Sequence, residues 1–152
     1  MKNLNDLTVI IVTYKTKEKI IFDCIKSINS DVNVLIIENS NKFIHEKIIL
    51  SNFPNVKILC TGNNLGYGRG NNFGLKLVKT SFALILNPDV ICDRDFFDNI
   101  VDVLNKVNDF TIIGCQYLND KIFMPAGFFN KHKNADFKDD FKSNKVESLS
   151  KV

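Results

Sequence analysis

Leu7-Thr8-Val9-Ile10-Ile11-Val12-Thr13 is an unbroken run of apolar and β-branched residues with no polar alternation. A strand with one wet face alternates apolar and polar residues. A run without alternation is buried on both faces, as in parallel sheets covered by helices. Parallel neighbours cannot be joined by a tight hairpin and need a long crossover, usually a helix. This one segment therefore points to an α/β architecture.

The rest of the chain repeats that logic. Ile20, Ile21, Cys24, Ile25 and Ile28 recur at helical spacing after a break at Tyr14-Lys15-Thr16. Thr16 is placed to cap that helix, and Glu18 suits its positive end. Val34-Leu35-Ile36-Ile37 reads as a second buried strand ending in Glu38-Asn39-Ser40. Ile44, Ile48 and Ile49 suggest a short helix before Pro54, and Val56 to Cys60 a third strand. A glycine-rich stretch from Gly62 to Gly74 leads into a helix carrying Phe73, Leu77 and Val78. Phe82 to Leu86 is a fourth strand, stopped by Asn87-Pro88-Asp89. Asp93 opens a helix through Phe96, Phe97, Ile100, Val101, Leu104 and Val107, and Phe110 to Cys115 is a fifth strand. Strands alternating with helices predict a mostly parallel sheet with right-handed crossovers. The expected domain spans residues 1–130. Residues 131–152, with six lysines against four acids, form a polar tail or the start of a further lobe.

Composition narrows the class. With 152 residues, 45% of them hydrophobic, the chain supports one real core. Twenty basic against seventeen acidic residues give +3, too little to argue for nucleic acid. No apolar run approaches the roughly 18 residues of a spanning helix, and Met1 to Asp6 does not resemble a secretory leader. The expected location is the cytosol. Cys24, Cys60, Cys92 and Cys115 are widely spaced and form no C-x-x-C pair, so they read as small buried hydrophobes. His45 and His132 have no acidic or cysteine partner at a recognisable spacing and read as surface histidines.

In open parallel sheets ligands bind at the carboxyl ends of strands. Thr13-Tyr14, Glu38-Asn39-Ser40, the glycine loop and Asn87-Pro88-Asp89 all leave such ends, so together they outline a site. Each also has a plainer reading. The glycine loop either cradles a phosphate, with Arg69 adding a charge-assisted contact, or is a flexible surface loop. It lacks G-K-[ST], and Asn71 stands where a dinucleotide fingerprint needs its third glycine. Asp89 either holds Mg²⁺ or Mn²⁺ on a diphosphate or merely makes a turn. Glu38 either accepts from a base or ribose or is a solvated strand-end charge. No serine sits in a nucleophile elbow.

Taken together these segments resemble family 2 inverting glycosyltransferases of the GT-A fold, in particular the rhamnosyltransferase-like branch that builds bacterial surface polysaccharide. The matching pieces are Val9 to Thr16, Ile36 to Ser40, Asn64 to Gly74 and Leu84 to Asp89, with Lys15 where the family often has asparagine. The resemblance implies a three-layer α/β/α sandwich. It implies a nucleotide-sugar pocket from Thr13, Tyr14, Glu38, Asn64, Gly66, Arg69, Asn87 and Asp89, with Asp89 as ligand to Mg or Mn. Asn87 replaces the first acid of the family's D-x-D motif, so the resemblance leaves the metal to Asp89. Glu38 stands where the family usually has aspartate.

The implied reaction moves a sugar from a UDP-, dTDP- or GDP-linked donor to a glycan or lipid-linked acceptor hydroxyl, with inversion. Lipid-linked acceptors leave room for peripheral contact at the inner membrane face. The family's general base lies in a C-terminal half for which this chain has no matching segment, so the catalytic base is unassigned. The chain reads as the donor-binding half, C-terminally truncated. That reading predicts weak turnover and an exposed apolar edge, open to self-association or a partner chain. A non-catalytic nucleotide-sugar-binding or assembly module is the alternative. A nucleotidyltransferase would want its glycine loop after the first strand, where Tyr14-Lys15-Thr16 stands instead.

Overall fold

A computed structural model describes residues 1–107, 110, 112–114, 117–119, 122–124 and 127–129. The chain divides into two compact units, Met1–Val101 and Asp102–Val152. The sequence boundary near residue 130, the tail beyond it, Cys115 and His132 lie outside the described residues.

The first unit is built on four parallel strands: β1 (Leu7–Thr13), β2 (Asn33–Glu38), β3 (Val56–Cys60) and β4 (Phe82–Leu86). Their spatial order is β3-β2-β1-β4. The chain thus builds outward from β1 through β2 to β3, then crosses back to place β4 on the other side of β1. That reversal puts a topological switch point between β1 and β4, where open α/β sheets open a crevice at the strand ends. All seven residues of β1 are buried, as its unbroken apolar run requires.

Helices cover both faces. Helix α1 (Glu18–Lys26), α2 (Glu46–Asn52) and the start of α4 (Phe96–Lys106) share one face. Their Ile21, Cys24, Ile25, Ile49 and Phe97 pack with Val9, Ile11, Val34, Ile36, Val56 and Leu86. The opposite face is formed by Ile10, Val12, Leu35 and Ile37, against which Val78 packs. Helix α3 (Tyr67–Leu75) lies on that face, giving the expected three layers.

Helix α3 departs from its sequence reading. Phe73 and Leu77, read as its buried stripe, are exposed, and Leu77 and Val78 lie beyond its end. The buried residues are Gly70, Asn71 and Gly74. A Cβ on Gly70 would come within 2.8 Å of Val12 Cγ1, and one on Gly74 within 2.7 Å of Ile10 Cγ2. These glycines serve close helix–sheet packing and not an approach to phosphate.

Smaller differences have local causes. Lys17, not Thr16, occupies the α1 N-cap, and no side chain caps that end; Glu18 does sit in the first turn. In α2 only Ile49 is buried, Ile48 faces out, and exposed Ile44 lies before the helix begins. The fifth strand, β5 (Ile112–Gly114), does not join the parallel sheet. It pairs antiparallel with β8 (Gly127–Phe129), while β6 (Tyr117–Asn119) pairs antiparallel with β7 (Ile122–Met124). Its partner lies further along the chain, so the apolar run alone could not reveal the pairing. Among the described residues no helix is long and apolar enough to cross a membrane.

Candidate nucleotide-sugar site

The parallel register fixes which residues share the rim. Thr13 stands opposite Glu38, Glu38 opposite Cys60, and Ile11 opposite Leu86. Tyr14, Asn39, Thr61 and Asn87 therefore leave the sheet along one edge. Backbone bonds knit that edge together: Asn39 N–H donates to Thr13 C=O at 2.8 Å, and Thr61 N–H to Glu38 C=O at 2.9 Å.

Glu38 is only 2% exposed. Its Oε2 accepts a 2.6 Å hydrogen bond from Thr13 Oγ1. A buried carboxylate survives only when hydrogen-bonded or paired, so Thr13 is the support of Glu38. Glu38 is thus not a solvated strand-end charge. It lines a cavity of about 430 Å³ together with Lys15, Lys17, Ser40, Lys42 and Phe43. Three lysines against Glu18 and Glu38 leave the lining with an excess of one positive charge, and Glu38 offers an acceptor to a ligand N–H or O–H.

His45 is another wall of that cavity, and its sequence reading as a surface residue is corrected here. Its ring is largely buried, stands edge-on to Phe43, and holds Glu18 Oε2 at 3.1 Å. Glu18 lies 27 residues upstream, so no local spacing could reveal the pair.

Tyr14 is 46% exposed, with Lys15 Nζ 5.2 Å from its ring centre. Lys15 itself has φ +52°, a left-handed conformation uncommon outside glycine and asparagine.

The glycine loop is held by its own side chains. Asn64 Oδ1 accepts from Gly66 N–H at 2.9 Å, and Asn39 Nδ2 donates to Gly66 C=O at 3.1 Å. Gly66, at φ +79°, is the N-cap of α3, and no side chain caps that end. The first turn of α3 carries Arg69, which is exposed, and no acid. Uncapped helix N–H groups beside an arginine favour an anion.

At the end of β4, Asn87 and Asp89 are both exposed. Asn87 Oδ1 accepts a 2.6 Å hydrogen bond from Tyr67 Oη, a residue absent from the sequence-predicted set. Helix α1 anchors the same segment: Cys24 Sγ lies 3.6 Å from Asn87 C=O, and Ser27 Oγ accepts from Cys92 N–H at 3.0 Å. Burial pushes the Cys24 thiol up to about 12, with Cys92 and Asp89 adding to the effect, so it stays a protonated donor. Cys24 and Cys92 are buried as expected, but Cys60 is exposed.

Among the described residues no three His, Cys, Asp or Glu side chains converge as a metal cage. The donor set at the end of β4 is one free carboxylate, Asp89. That fits Mg²⁺ or Mn²⁺ held chiefly by substrate phosphates and not a dedicated protein site.

Comparison with known proteins places this arrangement. The chain is 27% identical over 120 residues to the low-salt glycan biosynthesis hexosyltransferase Agl10 of Haloferax volcanii, covering 76% of this chain and 38% of that protein. Among solved structures it resembles S. aureus TarS 1-349, with a TM-score of 0.57 at 20% identity over 66% of this chain and 32% of TarS. It matches the same protein in complex with UDP equally well, at 19% identity. The chain thus spans about a third of the length of these relatives. The structural likeness establishes the mostly parallel GT-A sheet. The family model described as "Glycosyl transferase family 2" matches residues 8–144. With residues 8–144 of its 152 matched, the chain belongs to glycosyl transferase family 2.

Proposed function

We propose that this chain binds a nucleoside-diphosphate sugar along the β1–β2–β4 rim and serves transfer of that sugar, with inversion, to an acceptor hydroxyl. The observation that carries this reading is that four polar segments leave the carboxyl ends of one parallel sheet, although of the proposed residues only Glu38 lines the cavity of about 430 Å³. Tyr14, the buried Glu38, the uncapped start of α3 with Arg69, and Asp89 all leave one edge of one sheet.

The roles follow from chemistry. Tyr14 offers an exposed ring for stacking a base. Glu38, held by Thr13, accepts from a base N–H or a ribose hydroxyl, which gives specificity because a mismatched group leaves a buried acceptor unpaired. Arg69 and the N–H groups of α3 face the diphosphate and stabilise the charge that grows on it as the glycosidic bond breaks. Asp89 holds the divalent ion, Mg or Mn, which supplies further charge neutralisation when bound. Asn64 and Gly66 shape the loop. The deprotonation of the acceptor is assigned to no described residue. The UDP complex of the TarS neighbour supports a uridine donor as the first to try. The rhamnosyltransferase-like branch and a surface-polysaccharide acceptor are the finer part of the proposal.

Isothermal calorimetry with UDP, dTDP and GDP, each with Mn²⁺ and with EDTA, tests the reading. At least one should bind, Mn²⁺ should tighten it, and Asp89→Ala should abolish that gain. Failure of all three to bind overturns the donor-site assignment. Unchanged Mn²⁺ dependence in Asp89→Ala removes the metal role alone.

A further inference from the structure

Asn87 occupies the end of β4 where the resemblance expects an acid, and its bonds define what it can offer. Both of its oxygens are engaged. The main-chain carbonyl accepts from Val90 N–H at 3.2 Å and faces the Cys24 thiol. The side-chain Oδ1 accepts from Tyr67 Oη at 2.6 Å. The amide nitrogen Nδ2 has no partner among the described residues. With Tyr67 Oη donating to Oδ1, the NH₂ group is the end of the amide that faces away from Tyr67.

We infer that Tyr67 is a positioning residue that locks Asn87 as a hydrogen-bond donor toward the anionic diphosphate, so that this position binds substrate oxygen directly and does not ligate metal. The inference rests on the donor-site reading above. Its consequence is a division of labour across two residues: Asn87 supplies an N–H donor that needs no metal, and Asp89 carries the metal by itself. Tyr67 is well placed for this role because it opens α3 immediately after Gly66, on the side of the helix that reaches the end of β4. It therefore ties the start of α3 to the segment that follows β4.

The test measures the ratio of UDP dissociation constants in EDTA and in Mn²⁺ for wild type, Tyr67→Phe and Asn87→Asp, with dTDP and GDP in parallel. Tyr67→Phe frees Oδ1 and unaims Nδ2, so the ratio should rise about threefold to tenfold, mostly through weaker binding in EDTA. Asn87→Asp turns a donor into a charged acceptor, so binding in EDTA should weaken by about tenfold or more while Mn²⁺ binding holds or improves. A purely structural Tyr67 would weaken binding equally in both conditions and lower the melting temperature. An unchanged ratio in Tyr67→Phe overturns its positioning role, and an unchanged ratio in Asn87→Asp overturns the donor role of Asn87. A wild type that binds none of the three nucleotides overturns the donor-site reading, a result distinct from either.

Discussion

Thr13 Oγ1 and Glu38 Oε2, at the ends of adjacent strands and opposite each other in register, form a 2.6 Å buried hydrogen bond. Removing the hydroxyl leaves a carboxylate oxygen desolvated and unpaired. Thr13→Val keeps the shape of the residue and should destabilise the fold by about 1–3 kcal/mol. Urea denaturation with an unchanged m-value checks it. Glu38→Gln, which keeps a partner for Thr13, should cost less than Thr13→Val and should reveal its effect in nucleotide binding.

Glycine positions in the Gly62–Gly74 stretch should separate into two classes. Gly70→Ala and Gly74→Ala push a methyl into Val12 and Ile10 and should each destabilise by about 1–3 kcal/mol. Gly68 has nothing within 4 Å of the added Cβ and lies inside α3, so Gly68→Ala should stabilise by about 0.5–1 kcal/mol. Equal effects at positions 68 and 74 would contradict the packing account. Thermal melting of the three variants is sufficient.

Lys15 holds a left-handed backbone at φ +52°. That conformation costs an ordinary residue about 1–2 kcal/mol, and asparagine less. Lys15→Asn should raise stability by a few tenths to about 1 kcal/mol, offset in part by the lost contact with Tyr14. The same variant should bind nucleotide more weakly in low salt, since one of the three lysines of the cavity is removed.

The thiol of Cys24 makes stability fall in alkali. Its ordinary value is 9.0 and burial first, then Cys92 and Asp89, raise it to about 12. The folded state therefore holds this proton more tightly than the unfolded chain. The stabilisation is complete below about pH 9 and is lost as pH rises from there toward 12, by at most about 1.4 kcal/mol per pH unit. Denaturation of wild type and Cys24→Ala between pH 8 and 11 should show a steeper decline in wild type. Iodoacetamide should label exposed Cys60 in the folded protein and Cys24 only after unfolding.

What was legible in the sequence follows from where the signal is carried. The four parallel strands are read correctly because Leu7–Thr13 and its counterparts are dense apolar runs bounded by polar breaks. Helix α3 is misread because its buried residues, Gly70, Asn71 and Gly74, carry no apolar side chain, and the eye falls on exposed Phe73 and Leu77. Likewise Thr13 and Glu38 are predicted as neighbours of a ligand, but that one supports the other needs the strand register. Tyr67 escapes notice because its partner, Asn87, is 20 residues away on the far side of β1. A tyrosine opening a helix next to a positive-φ glycine is the signal that was available.

Gly70 and Gly74 seat the backbone of α3 directly on Val12 and Ile10, with no side chain of their own between helix and sheet. Close-packed interiors transmit displacement and do not absorb it. Tyr67 and Arg69 on α3 and Thr13 on β1 are therefore carried by two elements in direct contact, so that a bulkier residue at position 70 or 74 would displace the start of α3 from the strand ends.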